Sequence, residues 1–303
     1  MSPRKTFISI FIPSYNDRAD LSACLESLRG LEYPKQKLEL VIWDNGSLDD
    51  TVSMVEQRFR SMSEEGWASL RLIQNKKNDG CYLPYNLVQP LFSVQTHYVL
   101  GLDADVELAP DALTYLADAI EGERVVVVGA RSVVFRNPTQ TAHGAGFVSR
   151  WTARYDERDA RELVECDYVI GCCWLFDKRI FRDMGGFAPD FHVNHWEVDY
   201  CLRAKARGWR IMYEPRAVAK HKIQYPATCS TDRMYYMFRN KLLMIQYNLY
   251  FPHPALTTAL CFMLSLGRIM TIAVQERNLR NAVKAWEGLY DGMRGVRGAL
   301  AEG

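Results

Sequence analysis

The first half of this chain alternates apolar, β-rich runs with segments of helical spacing, and the early runs end in polar or acidic residues. FISIFIP leads into PSYND, LELVIWDNG into DNGSLDD, and HYVLGLD into DADVE. Between them, ADLSACLESLRGL carries Leu21, Leu25 and Leu28 at helical spacing with Asp20 as its cap. LDDTVSMVEQRFRSM places Val52, Val55 and Phe59 on one face, and PDALTYLADAI has Pro110 near its first turn. LRLIQN is a further strand, and RVVVVGARSVVF is one doubly buried strand or two joined at Gly129. Strands alternating with helices predict an open, mostly parallel α/β sheet. Ligands of such sheets bind beyond the carboxyl ends of the strands, so the polar endings are expected to meet at one binding edge.

The sharpest of those endings is YVLGLDADVEL. Tyr98, Val99, Leu100 and Leu102 make a core strand, and Gly101 permits close packing. Asp103 and Asp105 then stand one residue apart with Glu107 behind them. Carboxylates that repel one another at a strand end suit a divalent cation shared with an anionic ligand. HGAGF lacks a following GxxG, so no dinucleotide fingerprint is present.

Other classes are disfavoured. Formal net charge is +1 and no dense basic run occurs, so no nucleic-acid partner is expected. Eight cysteines include no CxxC pair, which argues against zinc or a disulfide framework and for a reduced, cytoplasmic protein. MSPRKTFISIFIPSYN reads as a first strand rather than a signal peptide. Residues 254–274 are apolar but are interrupted by Arg268 and diluted by Thr257, Thr258 and Ser265, a poor spanning helix.

Taken together, SIFIPSYN, VIWDNGSLDDT, NKKNDGCYLPYN, YVLGLDADVEL, MGGFAPDF, HWEVDYCLRAKARGWRIMYEP and AVAKH resemble, in order and spacing, the inverting family 2 glycosyltransferases. The resemblance covers roughly residues 6–222 and extends to rhamnosyltransferase-like and galactosyltransferase-like bacterial members. It implies a GT-A fold, a Rossmann-like mixed, mostly parallel sheet flanked by helices. The catalytic domain would be residues 1–231, with a nucleotide half to about 108 and an acceptor half from about 109. Residues 232–303 would form a C-terminal helical region. By the same resemblance, Pro13, Tyr15 and Asn16 cradle the nucleotide, Asp44 bonds its base, and Asn78 and Gly80 close over it. Asp103 faces ribose and metal, while Asp105 and His221 bind the metal, Mn2+ or Mg2+. A ligand set that includes an imidazole tolerates Mn2+ well. Glu197 occupies the position of the catalytic base. Trp196 replaces the carboxylate that usually precedes it, and Ala188 and Pro189 replace the usual acidic pair after GGF. His195, Trp196 and Asp199 are expected at the acceptor.

The implied reaction moves a sugar from a UDP- or dTDP-linked donor to a hydroxyl of a glycan or lipid-linked glycan. The competing readings are a non-catalytic sugar-nucleotide module and a sugar nucleotidyltransferase. PSYNDRAD lacks the Gly-rich basic loop the latter needs. A processive synthase is disfavoured because a Q-x-x-R-W signature is absent. Beyond residue 232, aromatic and basic residues alternate at helical spacing in MYYMFRNKLLMIQYNLY and AVKAWEGLYDGM. These helices are expected either to lie on a membrane surface, at the inner face of the cytoplasmic membrane, or to pack on the catalytic domain or a second subunit as a homodimer.

Overall fold

The computed structural model describes residues 6–80, 82–191, 193–222 and 231–298. In chain order the elements are β1 (Ile8–Ser14), α1 (Arg18–Arg29), β2 (Leu38–Asp44), α2 (Thr51–Met62), β3 (Ser69–Gln74), α3 (Leu83–Val88), β4 (Tyr98–Leu102), β5 (Val106–Leu108) and α4 (Ala112–Ile120). There follow β6 (Val125–Val134), β7 (Asn137–His143), β8 (Ala145–Val148), β9 (Tyr155–Arg158), β10 (Val164–Cys166), β11 (Cys173–Asp177), α5 (Lys178–Asp183), α6 (Trp196–Ala206) and β12 (Arg210–His221). The C-terminal helices are α7 (Thr231–Tyr247), α8 (Pro254–Val274) and α9 (Leu279–Met293).

The main sheet runs β10-β12-β6-β11-β4-β1-β2-β3, with β5 added to β12 and β7 to β6. β1, β2, β3 and β4 are parallel, β11 is antiparallel to both β4 and β6, and β12 is parallel to β6. The sheet is thus mixed and mostly parallel. Its central strands β1, β2, β4, β6 and β11 are apolar on both faces because both faces are covered. The two-residue side-chain period sorts them: Ile8, Ile10, Ile12, Leu40, Ile42, Leu100 and Leu102 join one core with α1 and α4. Phe11, Val41, Trp43 and Val99 join the opposite core with α6 and the C-terminal helices. That second core runs unbroken from the sheet into Leu242, Met244, Ile269 and Leu289, so residues after 231 share the core of the catalytic sheet.

RVVVVGARSVVF forms one strand, β6, and Gly129 does not break it. A Cβ there would lie 2.4 Å from the Val169 side chain, so glycine serves close approach. Gly101 serves the same end: a Cβ would lie 2.4 Å from Trp174 Nε1. At α1 the cap expectation is corrected. The helix begins at Arg18 with Asp17 at its N-cap, and Asp20 falls in the first turn. Asp17 instead accepts the Tyr15 N–H (2.9 Å) and the Ser14 hydroxyl (3.2 Å), fixing the exit of β1.

Candidate active site

The polar strand ends do converge. One cleft is lined by Pro13, Tyr15, Asp17, Asn45, Asn78, Gly80, Asp103 and Asp105. Its floor is the carboxyl edge of the parallel strands β1, β2 and β4, where topology leaves a crevice. Tyr15 lines it and is 39% exposed. Gly80 has φ +79°, its N–H donates to Asn78 Oδ1 (2.9 Å), and its carbonyl accepts from Asn45 Nδ2 (3.0 Å). Asn45 therefore ties the end of β2 to the 78–80 loop, a role the sequence did not disclose.

Asn16 and Asp44 do not line this cleft among the described residues. Asp44 is buried and accepts backbone N–H groups from Gly46 (3.1 Å) and Ser47 (3.2 Å). The carboxylate thereby satisfies the turn's donors. Asn16 adopts φ 57° and its Oδ1 accepts from Leu48 N–H (2.8 Å). Both residues shape the rim instead of facing it.

A second cleft shares Asp103 and Asp105 with the first and adds Glu197, His195, Trp196, His143, Tyr155 and Arg233. The two aspartates thus stand on the wall between two chambers. β12 brings His221 to them. A register shift between Glu214 and Val218 resets the strand, and antiparallel pairing with β5 sets His221 opposite Val106. Asp103, Asp105 and His221 then present ligand atoms within 4.8 Å of one another, with His221 Nε2 3.3 Å from Asp105 Oδ1.

The charges at this point are strained. Burial, then the neighbouring Asp105 charge, pushes the Asp103 carboxyl up to about 7. Burial also raises Asp105, but the hydrogen bond and charge of His221 outweigh it and leave Asp105 below its ordinary value. His221 is lowered by burial and raised by more by its bond to Asp105 and the charges of both aspartates. Two carboxylates and an imidazole crowded this closely fit a divalent cation, which would offset the repulsion and keep both aspartates ionised.

Glu197 sits in the first turn of α6 and its Oε2 is buried without a hydrogen-bond partner among the described residues. Burial first, and Asp103 second, push its carboxyl up to about 7. That places a carboxyl near neutrality inside a cleft, where a group able to take up a proton at working pH is expected. The loop before it is held in left-handed backbone at Asn194 (φ 60°) and His195 (φ 66°). α7 clamps this loop: Asn240 Nδ2 donates to the carbonyls of Val193 (2.6 Å) and Asn194 (3.1 Å), and the fully buried Arg239 donates to the Asp190 carbonyl (3.0 Å). The C-terminal helices thus position the glutamate.

His195 and Trp196 line the second cleft, though Trp196 is only 8% exposed and packs on Phe187, with ring centroids 4.7 Å apart. Burial lowers His195 to about 3, so the imidazole is neutral, and its Nδ1 has no partner among the described residues. Asp199 lines neither cleft. It pairs with Arg203 (2.7 Å) and accepts from Asn248 Nδ2 (3.0 Å), while Arg203 holds the carbonyls of Met184 and Gly186. Asp199→Ala would leave that half-buried guanidinium without its carboxylate. Chemical denaturation should register a loss of about 1–3 kcal/mol. An unchanged midpoint with a raised acceptor KM would instead make Asp199 an acceptor contact.

Arg233, His143, Tyr155 and Glu157 enter the second cleft without any sequence signal, because β7, β9 and α7 are brought there by long-range packing. Asp17 was legible in PSYND as part of a polar strand end.

Comparison with known proteins agrees with this geometry. Residues 9–185 match the profile described as Glycosyl transferase family 2. Glycosyltransferase AglE of Haloferax volcanii is 23% identical over 222 residues, 73% of this chain and 68% of that protein. Among solved structures, S. aureus TarS 1-349 in complex with UDP-GlcNAc superposes with a TM-score of 0.66 at 18% identity, covering 96% of this chain and 82% of that one. The mannosyltransferase PcManGT from Pyrobaculum calidifontis, in complex with GDP-Man and Mn2+, gives a TM-score of 0.61 at 15% identity, covering 96% and 88%. At those identities the superpositions show the shared GT-A fold. With the family profile spanning more than half of its length, the chain belongs to glycosyl transferase family 2 and is a glycosyltransferase.

Proposed function

We propose that this enzyme transfers a sugar from a nucleoside-diphosphate donor, UDP- or dTDP-linked, to a hydroxyl of a glycan or lipid-linked glycan, with inversion. The observation that carries the reading is the shared wall of the two clefts: Asp103 and Asp105 border both, and Glu197 lines only the second. A donor in the first cleft and an acceptor in the second would meet at the aspartates. The donor-bound relatives TarS and PcManGT support the first assignment.

Pro13, Tyr15, Asn78 and Gly80 would hold the nucleotide, with Tyr15 against the base and the 78–80 loop over it. Asp103, Asp105 and His221 would hold Mn2+ or Mg2+, which supplies positive charge against the departing diphosphate. Glu197 takes the acceptor hydroxyl proton. The freed oxygen pair forms the new bond to the anomeric carbon from the face opposite the nucleotide, and the carbon–diphosphate bond breaks. A single displacement inverts the configuration. His195, neutral and orphaned at Nδ1, can bond the acceptor without adding charge.

The test is a panel of nucleotide-sugars assayed with Mn2+ for binding by calorimetry and for slow donor hydrolysis. Hydrolysis of one donor, abolished by chelator, is expected. A donor that binds and is neither hydrolysed nor transferred to any acceptor offered would favour a non-catalytic sugar-nucleotide module.

A further inference from the structure

Helices α8 and α9 carry large apolar side chains on the side away from the protein as well as on the side against it. On α8 the side facing the protein buries Thr257, Thr258, Cys261 and Ser265 in its first half and Ile269 and Ile272 in its second. The side facing away carries Leu256, Leu260, Met263, Leu264, Met270 and Val274, all exposed. On α9 the inward positions are Ala282, Ala285, Gly288 and Gly292, with Leu289 the one large side chain among them. A Cβ on Gly288 would lie 2.1 Å from the Tyr235 carbonyl oxygen, so α9 docks on α7 through small residues. Its outward stripe is Leu279, Val283, Trp286, Tyr290 and Met293. A water-facing helix pair keeps its large apolar side chains buried. Close helix contact through small residues, with large apolar side chains left facing outward, is found where the surroundings are themselves apolar. Phe262 meets Trp286 with ring centroids 6.5 Å apart and so joins the two stripes.

By length and composition α8 could cross a bilayer, the one such helix among the described residues, yet 33% of its most apolar window is buried on the protein. The charges favour a different placement. Residues 254–298 hold six basic side chains against three acidic ones, in a chain of net charge +1. Arg277 and Arg280 are exposed at the α8–α9 turn, and Arg294 and Arg297 at the far end of α9. Lys284, Glu287 and Asp291 run along one flank of α9, which would be costly at mid-bilayer. An apolar face with basic ends and an aromatic pair suits a helix lying in the headgroup region.

We infer that the outward face of α8 and α9 is a docking surface for an anionic lipid bilayer, on which the hairpin lies in the interfacial plane. Flotation of the full chain with phosphatidylcholine vesicles, with and without phosphatidylglycerol, tests this at low salt. The protein should rise with anionic vesicles, weakly with neutral ones, and less at high salt. Arg277→Ser and Arg280→Ser should each weaken binding about fivefold. Met263→Glu with Met270→Glu should weaken it about tenfold or more without moving Tm, since both side chains are exposed in the free protein. Wild-type protein left at the bottom of the anionic gradient overturns the inference, as does a double variant that floats as well as wild type. If light scattering shows a stable dimer that the double variant dissociates, and the wild type does not float, the face belongs to a second copy of the chain. Flotation requires no turnover, so its outcome is independent of the proposed reaction.

Discussion

Asp105→Ala is expected to lower kcat about 10³-fold, because positive charge at a departing diphosphate contributes several kcal/mol at a tenfold rate per ~1.4 kcal/mol. Steady-state turnover with saturating donor and a Mn2+ titration would read it. The variant should need far more Mn2+ for half its own maximum. Its fold should persist, for a physical reason. His221 holds Asp105 below its ordinary value, so the pair stabilises the protein above the unfolded carboxylate range and loses that effect as pH falls. Asp103 is raised to about 7, so its ionisation works against the folded state near neutrality. Removing Asp105 loses the first effect and relieves part of the second, and Tm should move little. Full activity of Asp105→Ala in excess chelator would remove the cation from the reaction.

Glu197→Gln should lower kcat by roughly 10²- to 10⁴-fold, the usual share of general-base catalysis, with donor affinity nearly unchanged. The pH profile is the sharper readout. Glu197 must be ionised to accept a proton and its carboxyl stands at about 7, so wild-type kcat should rise through that region. The Gln variant should lose that limb. Stability should move in the opposite sense. A carboxyl raised from 4.5 to about 7 favours folding below its unfolded value, and that advantage disappears as pH climbs through the folded value. Glu197→Gln should therefore be more stable than wild type at pH ~8, by on the order of 3 kcal/mol, and similar to it at pH ~4. A variant with wild-type turnover would move the base elsewhere in the second cleft.

Much of the catalytic half is legible in the residues themselves. SIFIPS, ELVIWD and YVLGLD alternate apolar side chains that must be buried on both faces, and each stops at a polar turn. Parallel strands carry those turns to one edge, so Pro13, Tyr15, Asn78, Gly80, Asp103 and Asp105 share a cleft. Glu197 is marked by the family resemblance, through the register that GGF and the helix after it set for the base position.

Direction and partnership are another matter. Asp44 ends a strand as expected, yet its oxygens turn back onto the N–H groups of Gly46 and Ser47. Asp199 sits two residues from Glu197 in sequence, but Arg203 and Asn248 hold it outside both clefts. The apolar spacing of residues 254–293 marks helices without saying which side faces the protein; only packing of Gly288 and Gly292 against α7 turns the large side chains outward. Alternating polarity is a local property, and it determined the strands, the helices and the binding edge. The resemblance named Asp103, Asp105 and His221 together, but their approach was decided by tertiary structure, since His221 reaches Asp105 only through the shifted register of β12 and its pairing with β5. So was the loop carrying Glu197, whose carbonyls are held by Arg239 and Asn240 on a helix that follows it in the chain. A side chain's aim within a site depends on contacts between segments distant in sequence, and no local periodicity records them.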